Sequence, residues 1–211
     1  MDKKEQKQLR KKILADFKAG EKRLKGLEPT RENLLELAVH YVKYGKVDKA
    51  IDSYERVLKM LADTMASGAD NALAGGAERT MAESADNNST MANILVEVAN
   101  LHMFISAYDK AEKALLWARE ITADNIEVLE ALGACYIFKK QYDNALALAI
   151  NGIELTGGLD ARFFVLQAYA LDSLGKYKSA EQAFLKALEL EPDNEDYKSD
   201  LENLKTRMQE V

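Results

Sequence analysis

One cysteine, Cys135, in 211 residues leaves no partner for an internal disulfide and fits a reducing compartment such as the cytoplasm. Two histidines, His40 and His102, and that one thiol give no pair at metal-ligand spacing. Two prolines interrupt little, and the abundance of Ala, Leu, Glu and Lys favours helices. No run of 18 apolar residues is present, so no membrane-spanning helix is expected. The opening, MDKKEQKQLRKKILADFK, is too charged for a secretory signal. Chemistry is also missing. AGGAE at residues 74–78 lacks the spacing and the Lys-Ser/Thr of a phosphate loop, and no nucleophile elbow appears. The reading is a chain without catalysis, cofactor or metal.

Charge is unevenly spread. Residues 1–26 hold ten Lys and Arg against four Asp and Glu, a net of +6, which leaves −12 on the rest of a chain whose total is −6. A basic segment on an acidic body can mark a nucleic-acid or membrane contact. Here no arginine–aromatic interleaving accompanies it, and an acidic body repels phosphate, so no nucleic-acid partner is expected.

What the chain has in abundance is one spacing, repeated. Around Ala180 stand Ala168 twelve before, Tyr177 three before, Phe184 four after and Ala187 seven after. The same offsets around Ala145 give Gly133, Tyr142, Ala149 and Gly152. Around Ala111 they give Ala99, Tyr108, Leu115 and Ala118, and around Ala50 they give Ala38, Val47, Tyr54 and Val57. The anchors are 61, 34 and 35 residues apart. Each copy reads as two helices joined by a short turn, at YGKVD, ISAYD, KKQYD and LGKYK. Small residues let paired helices approach closely, and one pair cannot bury both faces, so copies stack.

This pattern resembles the tetratricopeptide repeat, a solenoid of helix–turn–helix units. The resemblance covers about residues 31–64 and 92–194. It implies an all-α, right-handed α-solenoid of about four repeats with N- and C-terminal helices. The units expected are a basic helix at 1–28, repeats at 31–64, 92–125, 126–160 and 161–194, an Ala/Gly/polar insert at 65–90 and a capping helix at 195–211. The chain departs from the family pattern in two ways. Leu34, Leu95, Leu129 and Phe164 stand where the family has Trp, and only the last copy has the closing proline, Pro192. Copy three carries Ala149 and Gly152 where bulk is common, so its second helix is expected to be the weakest packed.

The extra residues between copies one and two fall within Leu61 to Thr90, where large apolar residues are scarce. A mobile excursion is expected in the middle of this stretch, with its alanine-rich flanks lengthening the neighbouring helices. Leu9, Ile13, Phe17 and Leu24 lie near one face of the first helix, a stripe wide enough to dock. Tyr197, Leu201, Leu204 and Met208 form a second stripe suited to covering the last copy. His40, His102 and Cys135 fall inside first helices and read as packing residues.

In the family, first helices line a concave face that binds peptides. Carried onto this chain, its positions select Leu35 and Val39 in copy one, and Val96, Glu97, Asn100 and Phe104 in copy two. They select Glu127, Glu130, Ala134 and Phe138 in copy three, and Arg162, Val165, Leu166 and Tyr169 in copy four. Such a face, apolar and aromatic at its centre and acidic on one side, suits an apolar segment with basic flanks. Phe104, Phe138 and Tyr169 are the expected anchors. One subtype captures the C-terminal carboxylate of heat-shock chaperones with a Lys/Asn/Arg clamp. The matching positions here are Val96, Asn100, Ala131, Arg162 and Leu166, of which only Asn100 matches and Arg162 substitutes in part, so carboxylate capture is not expected. The implied function is a non-catalytic adaptor or scaffold with a protein or peptide partner. The alternative is a secretion-type chaperone that keeps an export substrate soluble, which an unstable co-purifying partner would favour. The basic, striped N-terminal helix could also fill its own groove or that of a second copy, a route to homo-oligomers.

Overall fold

The computed structural model describes the backbone of residues 3–71 and 77–209, and side chains of residues 5–66 and 85–209. Ten helices stand among these residues: α1 Lys3–Lys25, α2 Arg31–Lys43, α3 Val47–Asn71, α4 Ala77–Phe104 and α5 Tyr108–Ile121, then α6 Ile126–Phe138, α7 Tyr142–Leu155, α8 Ala161–Ser173, α9 Tyr177–Leu190 and α10 Glu195–Gln209. There is no strand among the described residues, and the class is the all-α solenoid. Contacts divide the chain into two units, residues 1–87 and 88–211.

Local chemistry starts and stops these helices. Thr30 accepts the Asn33 amide at 3.2 Å, Asn125 the Val128 amide at 3.1 Å and Asp160 the Arg162 amide at 3.0 Å, so side-chain oxygens satisfy amides that have no partner inside their own helix. The four helix–turn–helix joints share one closing bond. Lys46 N donates to Tyr41 O, Ala107 N to His102 O, Gln141 N to Tyr136 O and Lys176 N to Leu171 O, at 2.8, 2.8, 2.8 and 2.9 Å. Each joint also has one residue in the left-handed region: Gly45 at φ 64°, Ser106 at 59°, Lys140 at 59° and Gly175 at 72°. Glycine enters that region without a Cβ penalty; serine and lysine do not. Ser106→Gly and Lys140→Gly are therefore each expected to stabilise the second unit by about 0.5–1 kcal/mol, after the greater freedom of glycine in the unfolded chain is deducted. Urea titration of the full chain checks this. A loss of stability in both variants would mean that the turns are held by their side chains.

In the first unit, α2 packs on α3 and α1 packs on α2. Leu34, Leu37, Ala38 and Tyr41 of α2 and Ala50, Ile51, Tyr54, Val57 and Leu58 of α3 are buried. Among the described side chains of α1, only Phe17 and Leu24 reach burial. The expected docking stripe is thus split: Leu9 and Ile13 remain exposed, because α1 has 23 residues and α2 only 13.

In the second unit, one core cluster joins Ala99, Ala111, Leu115, Leu129, Leu132, Cys135, Ala145, Leu148, Ala149 and Phe163. A second joins Val165, Ala168, Ala180, Phe184 and Ala187 to Leu201 and Leu204 of α10, whose other stripe residues, Tyr197 and Met208, pack against its edge. All four anchor alanines are fully buried. Burial pushes the Cys135 thiol up to about 11, consistent with a packing role.

One expectation changes. The helix of copy three, α7, is not loosely packed. Its Gly152 lies against the Phe163 ring, and Gly133 of α6 lies against the Leu166 methyls, so each missing side chain is a socket filled by the next copy. The residue 65–90 segment holds the end of α3 and the start of α4 on its two flanks. Its middle, residues 72–76, where the excursion was expected, lies outside the described residues.

Candidate functional site

The first helices of copies two to four are α4, α6 and α8, and their solvent-facing positions form the candidate face of the second unit. Phe104 closes α4 and is 79 % exposed; Phe138 closes α6 and is 56 % exposed. Both occupy the same place in their copies, at the last turn before the joint. The Phe138 ring stacks on Tyr108, with centroids 5.5 Å apart and planes within 7°. Ile105, exposed beside Phe104, widens the apolar area. Lys139, next along from Phe138, pairs with Asp109 at 2.6 Å and with Glu112, so its charge is already engaged and its ammonium pKa is raised, first by Asp109.

Toward the other end of these helices the face is acidic. Glu97 and Glu127 are exposed, as is Asn100. Glu130 behaves differently, because it accepts from Arg162, whose guanidinium also holds Asp160 at 2.7 Å. Burial raises the Glu130 carboxyl pKa in spite of Arg162, while the Arg162 hydrogen bond lowers that of Asp160. Desolvation outweighs attraction at Glu130, and the one guanidinium on this face is neutralised by carboxylates from its own chain.

The remaining positions split by burial. Val96 and Ala134 are half-buried. Val165 and Leu166, expected on the face, are buried: Leu166 fills the Gly133 socket, and Val165 belongs to the cluster sealed by α10. Tyr169 stays partly exposed, but its hydroxyl donates to Asp200 of α10 and its ring sits edge-on to Phe184 at 5.6 Å. Burial and then Asp200 push its phenol pKa up. Of the three expected anchors, Phe104 and Phe138 are the more exposed rings and Tyr169 the least. In the first unit, Leu35 is half-buried and Val39 exposed on α2, with Glu36 paired to Arg23 of α1.

Sequence reasoning missed the turns beside the two rings. Ser106 and Lys140, both left-handed, each stand two residues after an exposed phenylalanine. In copies one and four the same turn position is Gly45 or Gly175, and the residue two before it is Lys43 or Ser173. The absence of glycine from two of four equivalent turns was the available signal.

The family model for the tetratricopeptide repeat matches residues 161–194. No curated protein matches the chain. Among solved structures, a crystal structure of MamA is 21 % identical, with 93 % of this chain and 99 % of that one covered and a TM-score of 0.60. The second tetratricopeptide domain of human RPAP3, solved in complex with an HSP70 peptide, is 22 % identical over 56 % of this chain and 98 % of that one, with a TM-score of 0.51. The Sgt2 tetratricopeptide domain of Aspergillus fumigatus is 23 % identical over 56 % and 80 %, with a TM-score of 0.52.

Proposed function

We propose that the chain is an interaction module, because residues 161–194 match the tetratricopeptide repeat model and solved tetratricopeptide domains share its fold. In this reading the exposed face of α4, α6 and α8 docks an apolar protein segment with basic flanks. The observation that carries the reading is the pair Phe104 and Phe138: two rings at equivalent places in successive copies, largely in water, each beside a non-glycine residue in the left-handed region. Exposed aromatic side chains that meet a partner in a desolvated contact are the usual centres of binding energy. Backbone strain of this kind clusters at ligand sites. Glu97 and Glu127 then select basic flanks, and salt weakens that selection.

The fold supports peptide binding by analogy only. The human RPAP3 domain was solved with the HSP70 peptide SGPTIEEVD, an acidic ligand. This chain's own face is acidic and its Arg162 is occupied, so the ligand chemistry should be reversed in sign. The test uses fluorescent peptides with one apolar centre and either Lys/Arg or Asp/Glu flanks, titrated against the full chain. The basic-flanked peptide should bind, the acidic one should not, and Phe104→Ala with Phe138→Ala should weaken binding at least about thirtyfold. Both rings are exposed, so the variant should fold, which circular dichroism checks. A folded variant that binds as well as the parent, or preference for acidic flanks, would overturn the reading.

A further inference from the structure

We infer that the occupant of this face is the amino-terminal half of α1 from a second copy of the chain, an inference that rests on the docking face just proposed. Every residue of α1 from Glu5 to Asp16 is exposed. Leu9, Ile13 and Leu14 are 45 %, 47 % and 51 % exposed, in a helix whose later residues Phe17 and Leu24 are buried. The reason is length. At about 1.5 Å per residue, α1 runs about 34 Å and α2 about 20 Å, so the stripe that docks α1 on α2 continues beyond it in the exposed Leu9 and Ile13.

The chemistry of this overhang matches the face. Leu9 and Ile13 are four residues apart and so lie on one side of the helix, as the anchors of a helix laid in a groove do. Lys7, Arg10, Lys11 and Lys12 surround them, against the carboxylates of Glu5 and Asp16. The face offers the complement: exposed rings at Phe104 and Phe138 and exposed carboxylates at Glu97 and Glu127. The same opposition appears in the whole chain, with +6 on residues 1–26 and −12 on the rest. An anionic lipid surface would meet the basic residues but would leave the aromatic face unpaired, whereas a second copy satisfies both at once. Helix of one copy into face of the next is a heterologous contact, so it forms a ring where the rotation closes and a filament where it does not.

The experiment uses the full chain and two variants that each spare the other's half. One is Leu9→Asp with Ile13→Asp; the other is Phe104→Ala with Phe138→Ala. All four side chains are exposed, and circular dichroism confirms folding. Sedimentation velocity should show concentration-dependent assemblies of the parent that shrink as salt is raised, and monomers for each variant alone. Mixing the two variants should restore one productive contact, from the intact α1 of one to the intact face of the other, and so give a 1:1 dimer and nothing larger. A parent that stays monomeric at all concentrations overturns the inference, as do variants that assemble like the parent. So does binding of the chain to anionic phosphatidylserine vesicles without self-assembly. If the basic-flanked model peptides still bind while the parent is monomeric, only this inference fails and the docking face stands.

Discussion

Gly152→Ala is expected to destabilise the second unit by about 2–3 kcal/mol, although alanine is the better helix former. In an open helix the change would stabilise by about 0.5–1 kcal/mol. Here a Cβ on Gly152 would lie 2.1, 2.2 and 2.5 Å from three atoms of the Phe163 ring. That ring is fully buried and enclosed by the cluster it joins, so it has nowhere to turn. Overpacking of this kind typically costs about 1–3 kcal/mol, and more where a rigid group is displaced. Gly133→Ala is the matched control. Its Cβ would lie 2.2 Å from Leu166 Cδ2, a terminal methyl that a side-chain rotation can move. A loss below about 1 kcal/mol is expected there. Urea denaturation of both variants measures the difference. Equal stabilities for Gly152→Ala and the parent would show that α7 and α8 are not seated through this socket.

That pair of glycines also shows where sequence reading stops. The repeat itself was legible, because Ala50, Ala111, Ala145 and Ala180 recur with the same neighbours, and all four are fully buried. The spacing reports that a small residue is needed. It does not report what fills the space, so Gly152 reads as thin packing when it is a seat for Phe163, 11 residues later, and Gly133 reads only as a small residue when it seats Leu166, 33 residues later. The candidate face was legible in part for a related reason. Repeat position proposes a side of the helix, and Phe104, Phe138, Glu97 and Glu127, picked by it, are exposed. Position alone does not say what the following helix covers, and Val165, Leu166 and Tyr169 are drawn into the packing or hydrogen bonding that Gly133 and α10 provide. The turn strain at Ser106 and Lys140 is a property of backbone angles, visible in the letters only as glycine missing from its place.

Phe17→Ala is expected to release α1 from α2, at a cost of about 3 kcal/mol or more to that contact, in line with other buried phenylalanine truncations. Phe17 is the hub of this docking. It is 8 % exposed, stacks on His40 at 5.5 Å with planes within 10°, and lies 5.4 Å from Tyr44 and 6.3 Å from Tyr41. The ammonium groups of Lys46 and Lys49 each stand 5.8 Å from its centroid, which adds cation–π attraction. One turn further, Glu21 accepts from Lys49 at 2.8 Å and from the Tyr41 hydroxyl at 2.9 Å. These bonds, that of Lys49 foremost, hold the Glu21 carboxyl at about 2, below its ordinary 4.5. A carboxylate with a depressed pKa contributes stability that is complete above the unfolded value and is lost as pH falls through the folded one. The α1 contact should therefore weaken as pH drops from about 4.5 toward 2, and Glu21→Gln should flatten that dependence. Hydrogen exchange at the amides of residues 17–25 reads the contact directly. In Phe17→Ala those amides should lose protection while the α2–α3 pair keeps its own. Undiminished protection across residues 17–25 in the variant would mean that α1 is held by Leu24 and the Glu21 network without the ring.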